Sequence, residues 1–228
     1  MSYQPYVPPE QLFKDRSEFA RKGIAQGRSV VAMEYDSGIL FLAENPSATL
    51  HKVSEIYDNI AFAGVGRYSE FEDLRIAGVR LADLRGYSYG REDVTAKTLA
   101  NAYAQALSGI FTQQLKPYEV EILVGQVGDT PAQNELFHIL YDGSVWDEKG
   151  YVAMGGRAED MATHVKEEWK EGLSADDAIR IGARALAAVE ERPVPAENLE
   201  AAVLDLTRGR RKFRRVADRE LESILSKA

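Results

Sequence analysis

Apolar residues recur along this chain at two different spacings, and the order in which the spacings alternate sets the architecture. Near the start, Leu12, Phe19, Ala20, Gly23 and Ile24 repeat at helical intervals. Pro9 fits the first turn of that helix, where no backbone donor is needed, and Gly27 is placed to end it. Residues 30–35 and 39–43 read as the arms of a β-hairpin around Asp36-Ser37-Gly38, a three-residue turn with glycine at the left-handed position. Asn45-Pro46-Ser47 reads as a loop, followed by a short strand over 52–57 and a firmer one over 60–65.

Two helices succeed these strands. Ser69-Glu70-Phe71-Glu72 has the form of a capping box, with Phe71, Leu74, Gly78, Leu81 and Ala82 as the apolar stripe behind it. Asp93 is the candidate cap of the next helix. Its face carries Leu99, Ala102, Tyr103, Ala106, Leu107, Ile110 and Phe111, the most regular helical stripe in the chain. Lys116-Pro117 stops it. Strands resume over 120–127, 135–141, 144–147 and 151–154. A helix showing Ala158, Met161, Ala162, Val165 and Trp169 then runs to Gly172, and another starts at Ser174 with Ala178, Ile181, Gly182, Ala185, Leu186 and Val189. Pro193-Val194-Pro195 closes it, strands over 199–206 and 212–216 pair across 207–211, and a last helix runs from Asp218.

Strands and helices thus come in blocks, which argues against a parallel doubly wound sheet. The apolar density of the strands calls for sheets buried on both faces. Two stacked antiparallel sheets with a helix pair outside each would satisfy every apolar face. The expected fold is therefore α+β, a four-layer αββα sandwich forming one domain over 10–228. Residues 1–9, with Pro5, Pro8 and Pro9, are expected to form a separate segment, extended or mobile.

Composition narrows the function. The net charge of −8 disfavours non-specific attraction to nucleic acid or to an anionic membrane. The absence of cysteine excludes thiol nucleophiles, disulfide scaffolds and thiolate metal sites, and it fits a reducing, cytoplasmic compartment. No apolar run approaches the roughly 20 residues that span a bilayer, and the N-terminus has no signal-peptide pattern. HExxH, GxxxxGK[ST] and GxGxxG are all missing. His51, His138 and His164 are scattered through a loop, a strand and a helix, so no metal and no cofactor is expected.

Four features remain. Gly155-Gly156, between a strand and a helix, could hold an anion on backbone amides, but a tight turn against a packed helix is the favoured reading. Glu167, Glu168 and Glu171 read as a solvated helix face. The run from Thr207 to Arg215 holds six of the 28 Lys and Arg residues, leaving 22 basic against 36 acidic residues elsewhere. On so acidic a chain it reads as an exposed sheet edge or a salt-bridged subunit contact, ahead of a nucleic-acid patch. Lys52, after a loop at the start of a strand, can point into a groove.

Arg16-Ser17-Glu18-Phe19-Ala20-Arg21-Lys22-Gly23-Ile24, Leu40-Phe41-Leu42-Ala43-Glu44-Asn45-Pro46-Ser47, Lys52-Val53-Ser54-Glu55-Ile56-Tyr57-Asp58, Lys116-Pro117-Tyr118-Glu119-Val120 and Tyr141-Asp142-Gly143-Ser144 occur in that order. Together they resemble the α-type subunits of actinobacterial 20S proteasomes, over nearly the whole chain. The third segment matches the family's Lys-[IV]-x-x-[IL]-x-Asp element. The resemblance implies the αββα sandwich of N-terminal nucleophile hydrolases. It further implies no catalytic residues: aligning the first hairpin on Gly38 puts Arg28 where the β subunits carry their threonine nucleophile. Glu44 and Lys52 fall where those subunits carry an aspartate and a lysine.

The implied role is that of a non-catalytic outer-ring subunit in a threonine-type endopeptidase complex for intracellular protein degradation. Its partners would be other α subunits in a seven-membered ring, β subunits, a ring ATPase and ATP-independent ring activators. Residues 1–9 match the family's gate segment, with Tyr3, Pro5, Tyr6, Pro8 and Pro9 as gate residues, although the usual Tyr-Asp-Arg and Phe-Ser-Pro motifs are missing. Lys52 matches the lysine that pairs with an activator's C-terminal carboxylate, and Gly27 the small residue beside it. The alternatives are a stand-alone amide hydrolase of the same fold, using a nucleophile such as Ser29 after cleavage behind Arg28, and a nucleic-acid-binding protein using the basic hairpin.

Overall fold

Helix α1 (Pro9–Ala25) begins on Pro8, which sits extended at the N-cap, and has Pro9 as its first residue, a position where the lost N–H had no partner anyway. The computed structural model describes residues 8–227, so Tyr3, Pro5 and Tyr6 lie outside the described residues. Gly27 follows the helix end and donates its backbone N–H to the Ile24 carbonyl at 2.9 Å.

The first hairpin joins β1 (Val30–Tyr35) to β2 (Gly38–Glu44). Tyr35 faces Gly38 in the ladder, so Asp36-Ser37 alone forms the turn. Gly38 is not left-handed as expected; it is a paired strand residue. Its missing side chain serves packing instead, because a Cβ would lie 1.9 Å from the Leu204 carbonyl oxygen on the next strand.

The remaining elements are β3 (Val53–Tyr57), β4 (Ile60–Gly66), α2 (Tyr68–Ser88), α3 (Ala96–Gln113), β5 (Val120–Gln126), β6 (Glu135–Ile139), β7 (Val145–Glu148), β8 (Tyr151–Met154), α4 (Ala158–Glu168), α5 (Ala175–Glu190), β9 (Leu199–Asp205), β10 (Phe213–Arg215) and α6 (Asp218–Leu225). They form two five-stranded sheets, ordered β10-β9-β2-β1-β8 and β3-β4-β5-β6-β7. All pairings are antiparallel.

Between the sheets lie Val30, Ala32, Ile39 and Phe41 from the first and Ala61, Ala63, Val65 and Leu123 from the second. The outer face of the first sheet, with Val31, Met33, Leu40 and Leu42, packs on Ile181, Ala185 and Leu186 of α5, Met161 of α4 and Leu221 of α6. The outer face of the second, with Ile60, Phe62, Ile122 and Val124, packs on Phe71 and Leu74 of α2 and Leu99, Tyr103 and Leu107 of α3. This is the four-layer sandwich expected from the block order, with α6 as a third helix in one outer layer. Helix α1 adds Ala20 and Ile24 to the inter-sheet core.

Both expected caps on the second sheet's helices are corrected. Arg67 holds the N-cap position of α2 and Ser69 lies inside the helix. The Glu72 carboxylate, which would have completed the box, instead accepts from the Arg75 guanidinium at 2.6 and 2.8 Å, while Glu70 accepts from the Glu119 N–H at 2.6 Å and from the Lys116 ammonium at 2.5 Å. Asp93 belongs to a short helical turn over 91–93, and Thr95 caps α3 by accepting from the Thr98 N–H at 3.2 Å. In the first case the carboxylate is claimed by an arginine within the same helix, and in the second it is displaced by a nearer cap. The Ser174 cap on α5 does form, at 3.2 Å to the Asp177 N–H.

Because a Gly38 Cβ would strike backbone, Gly38→Ala should destabilise the chain by about 1–3 kcal/mol, the usual cost of overpacking. Gly209→Ala, with nothing within 4 Å of the added carbon, should stay within about 0.5 kcal/mol of the parent. Urea unfolding of the purified variants measures both, and equal midpoints would contradict the strand placement of Gly38.

Candidate functional site

Three segments meet where the first sheet begins. Arg28 and Ser29 link α1 to β1, Glu44 ends β2, and Lys52 precedes β3. The loop before Lys52 is shaped by Asn45, whose side-chain oxygen accepts from the Ser47 N–H at 3.1 Å while its amide donates to the Leu50 carbonyl at 2.6 Å. The Lys52 backbone is held on both sides: its N–H donates to the Glu200 carboxylate at 2.8 Å and its carbonyl accepts from the Gly64 N–H at 3.0 Å. From this fixed root the side chain reaches across to the other sheet. Its ammonium donates to the Arg28 carbonyl at 2.5 Å, one residue beyond Gly27.

Glu44 is only 1% exposed, and so dry a carboxylate needs close compensation. Two guanidinium groups supply it: Arg28 pairs with one carboxylate oxygen, and Arg192 reaches the same oxygen at 2.6 Å. Arg192 arrives there because Glu191 turns the chain out of α5 in the left-handed region, at φ 54°. Arg157, before α4, donates to the Val189 carbonyl near the end of α5. Together Arg28, Arg157 and Arg192, with Gly27 and Ser29, line an open cavity of about 350 Å³ in which Glu190 is the lone acidic lining residue.

Lys52 differs electrostatically from these arginines. Burial lowers its pKa to about 8, with Arg28 acting in the same direction and Glu200, Glu44 and Glu190 opposing. Its ammonium bonds to a neutral carbonyl and makes no ion pair among the described residues. An ammonium has three donors, so the group retains both charge and hydrogen-bonding capacity for a carboxylate.

Gly27 is required by close packing, since a Cβ would stand 2.9 Å from the Gly66 nitrogen. Ser29 is 3% exposed and sits within the continuous chain between α1 and β1. Arg28, Glu44 and Lys52, separated by 16 and 24 residues, thus fall into one hydrogen-bonded set. Pro8 and Pro9 are exposed at the start of α1.

The other candidates resolve structurally. The Gly155 N–H already donates to Glu121 at 3.2 Å, and a Cβ on Gly156 would lie 2.7 Å from the Ala25 carbonyl oxygen, so the pair serves close packing rather than anion binding. Glu168 pairs with Arg184. Among the described residues no group of histidines and carboxylates has the makings of a metal site, and no helix is long and apolar enough to cross a membrane. In the basic hairpin, Arg210 pairs with Asp58 at 3.5 Å, Arg211 with Glu55 at 2.6 Å, Arg214 with Glu220 at 2.7 Å and Arg215 with Glu200 at 2.6 Å. Its cations are committed within the chain, along the edge strand β10.

Sequence reasoning missed Arg157, Arg192 and Glu200. The arginines flank helices whose ends meet only in the tertiary fold, and nothing local marks them. Glu200 did leave a signal: it is a carboxylate on an otherwise apolar strand, Leu199-Glu200-Ala201-Ala202-Val203-Leu204.

Comparison with known proteins agrees with this architecture. Residues 24–204 match the family model described as "Proteasome subunit". The "Proteasome subunit alpha" of Xylanimonas cellulosilytica is 58% identical over 221 residues, covering 92% of this chain and 91% of that protein. That of Acidothermus cellulolyticus is 56% identical over 230 residues, covering 99% and 98%. With the family's sheets, helices and hairpin all in place, the chain belongs to the proteasome subunit family, on its α side.

Proposed function

We propose that this chain is a non-catalytic outer-ring subunit of a cytoplasmic proteasome core, where it gates substrate entry and docks activators. The observation that carries the reading is the Lys52 ammonium. It is rooted between two strands and, among the described residues, bonded only to the Arg28 carbonyl, beside the Gly27 peptide and a cavity lined by three arginines. Such a group suits the terminal carboxylate of an activator tail, because pairing with an anion offsets the burial that holds its pKa down. The proposed partners are other α subunits in a seven-membered ring, catalytic β subunits, a ring ATPase and ATP-independent activators.

The non-catalytic reading rests on chemistry at the hairpin. A threonine protease needs a nucleophile whose own α-amine is free. Here Arg28 stands in that position, its guanidinium is committed to Glu44, and α1 precedes it in the chain. Ser29 is buried within the continuous chain between α1 and β1, so its α-amine is tied up in a peptide bond. The proposed gate comprises residues 1–9, entering the fold through Pro8 and Pro9.

In particles assembled with β subunits, Lys52→Ala should abolish activator-stimulated proteolysis and leave basal cleavage of short peptides unchanged; undiminished stimulation would refute the docking role. The ammonium is the binding form, so stimulation should fall as pH rises through about 8, whereas a plateau well beyond that pH would show that its charge is not used. Removing residues 2–8 should raise basal peptide hydrolysis. An unaltered basal rate would take those residues out of the gate.

A further inference from the structure

Glu200, near the start of β9, is a carboxylate with 9% side-chain exposure and an unusual number of donors. It accepts from the backbone N–H groups of Lys52 at 2.8 Å and Val53 at 3.2 Å, and from the Asn45 amide at 2.7 Å. It also accepts from the Arg215 guanidinium at 2.6 Å, and His51 Nδ1 stands at 3.3 Å. Arg215 in turn donates to the Val53 carbonyl at 2.7 Å. One residue from β9 and one from β10 therefore grip both sides of the peptide backbone at the start of β3.

This grip crosses between the sheets. Glu200 and Arg215 belong to the first sheet, while Lys52 and Val53 lead into the edge strand of the second. An edge strand's first residues have a neighbour on one side only; here Gly64 fills that side and Glu200 the other. Lys52 must span back to Arg28 with a long, flexible side chain, so the position of its ammonium depends on how firmly its backbone is held.

We infer that Glu200 is the positioning residue of the docking site: it clamps the Lys52–Val53 backbone, with Arg215 as its brace, so that the Lys52 ammonium is presented to an incoming carboxylate. The inference rests on the activator-docking reading. The clamp also acts through charge. Burial disfavours the ammonium, Arg28 adds to that, and Glu200 leads the opposing carboxylates, ahead of Glu44 and Glu190; His51 and Arg215 complete the charged groups around Glu200. Removing the Glu200 charge should make Lys52 lose its proton at a lower pH.

The test uses particles assembled from this chain and β subunits. The probe is a synthetic heptapeptide copying the C-terminus of an ATP-independent activator, as the free acid and as the C-terminal amide. Peptidase stimulation is titrated across pH. Glu200→Gln should raise the half-maximal peptide concentration about tenfold, roughly the loss of one good charged contact, and move the loss of stimulation to lower pH. Glu200→Asp, which keeps the charge, should restore the pH at which stimulation is lost. Arg215→Ala should weaken stimulation with no downward pH shift, since the Glu200 carboxylate stays in place beside Lys52, and it serves if Glu200→Gln particles fail to assemble.

Parent-like titration of Glu200→Gln, or of Arg215→Ala where that variant stands in, would overturn the inference. So would a weakened response whose pH dependence is identical in the Gln and Asp variants. Equal stimulation by acid and amide peptides, or by Lys52→Ala particles, would instead sink the docking reading itself.

Discussion

Strand β2 is buried at all seven of its residues, and a strand with no solvent face must be covered from both sides. Phe41 meets this need toward the second sheet, where a Cβ on Gly125 would come within 2.7 Å of its ring. Leu42 meets it toward α5, where Gly182 lets the helix approach to the same closeness. Burying side chains of this kind contributes roughly 1.5–3 kcal/mol each, so neither cover can withdraw without large loss. That packing fixes where β2 ends, at Glu44. Arg28 stands just before β1 and Lys52 just before β3, so the geometry of the site is largely inherited from the packing of the core.

The same constraint explains what the sequence made legible. The helical stripes of α3 and α5 and the apolar runs of β2 and β4 are direct imprints of double burial, so element order and layer count could be read from spacing. Capping rules were less dependable. Ser69-Glu70-Phe71-Glu72 has the letters of a capping box, yet the helix already starts at Tyr68 and Glu72 pairs with Arg75, while Glu70 serves Lys116 and the Glu119 N–H, partners far along the chain. Gly38 likewise suits a left-handed turn by local rules, while its role is to admit the Leu204 carbonyl from β9. Local chemistry fails wherever a distant element claims the same atoms.

At the site the division is similar. Lys52 and Gly27 could be singled out because their segments resemble those of a known family. Arg157 and Arg192 could not, since they flank separate helices and are brought to one cavity by the fold. Glu200 lay between these cases. A carboxylate on a buried strand costs several kcal/mol unless paired, so its presence announces a partner without naming it. The partner turns out to be mostly backbone, at Lys52 and Val53, with Arg215 balancing the charge.

Charge bookkeeping at the three strand ends finally distinguishes the cations from one another. The buried Glu44 draws the Arg28 and Arg192 guanidinium groups onto one oxygen, and their attraction is spent inside the protein. Lys52 has no such partner: the fold gives it a carbonyl to bond, carboxylates at a distance and a dry surrounding that lowers its pKa to about 8. A desolvated ammonium without a counter-ion is unfavourable in isolation and gains most when an anion arrives. Arg28, Glu44 and Lys52 thus form a neutralised Arg28–Glu44 pair beside one uncompensated cation. That imbalance suits binding an acid rather than cleaving an amide, and it is why the proposed docking centres on Lys52 and not on the arginines around it.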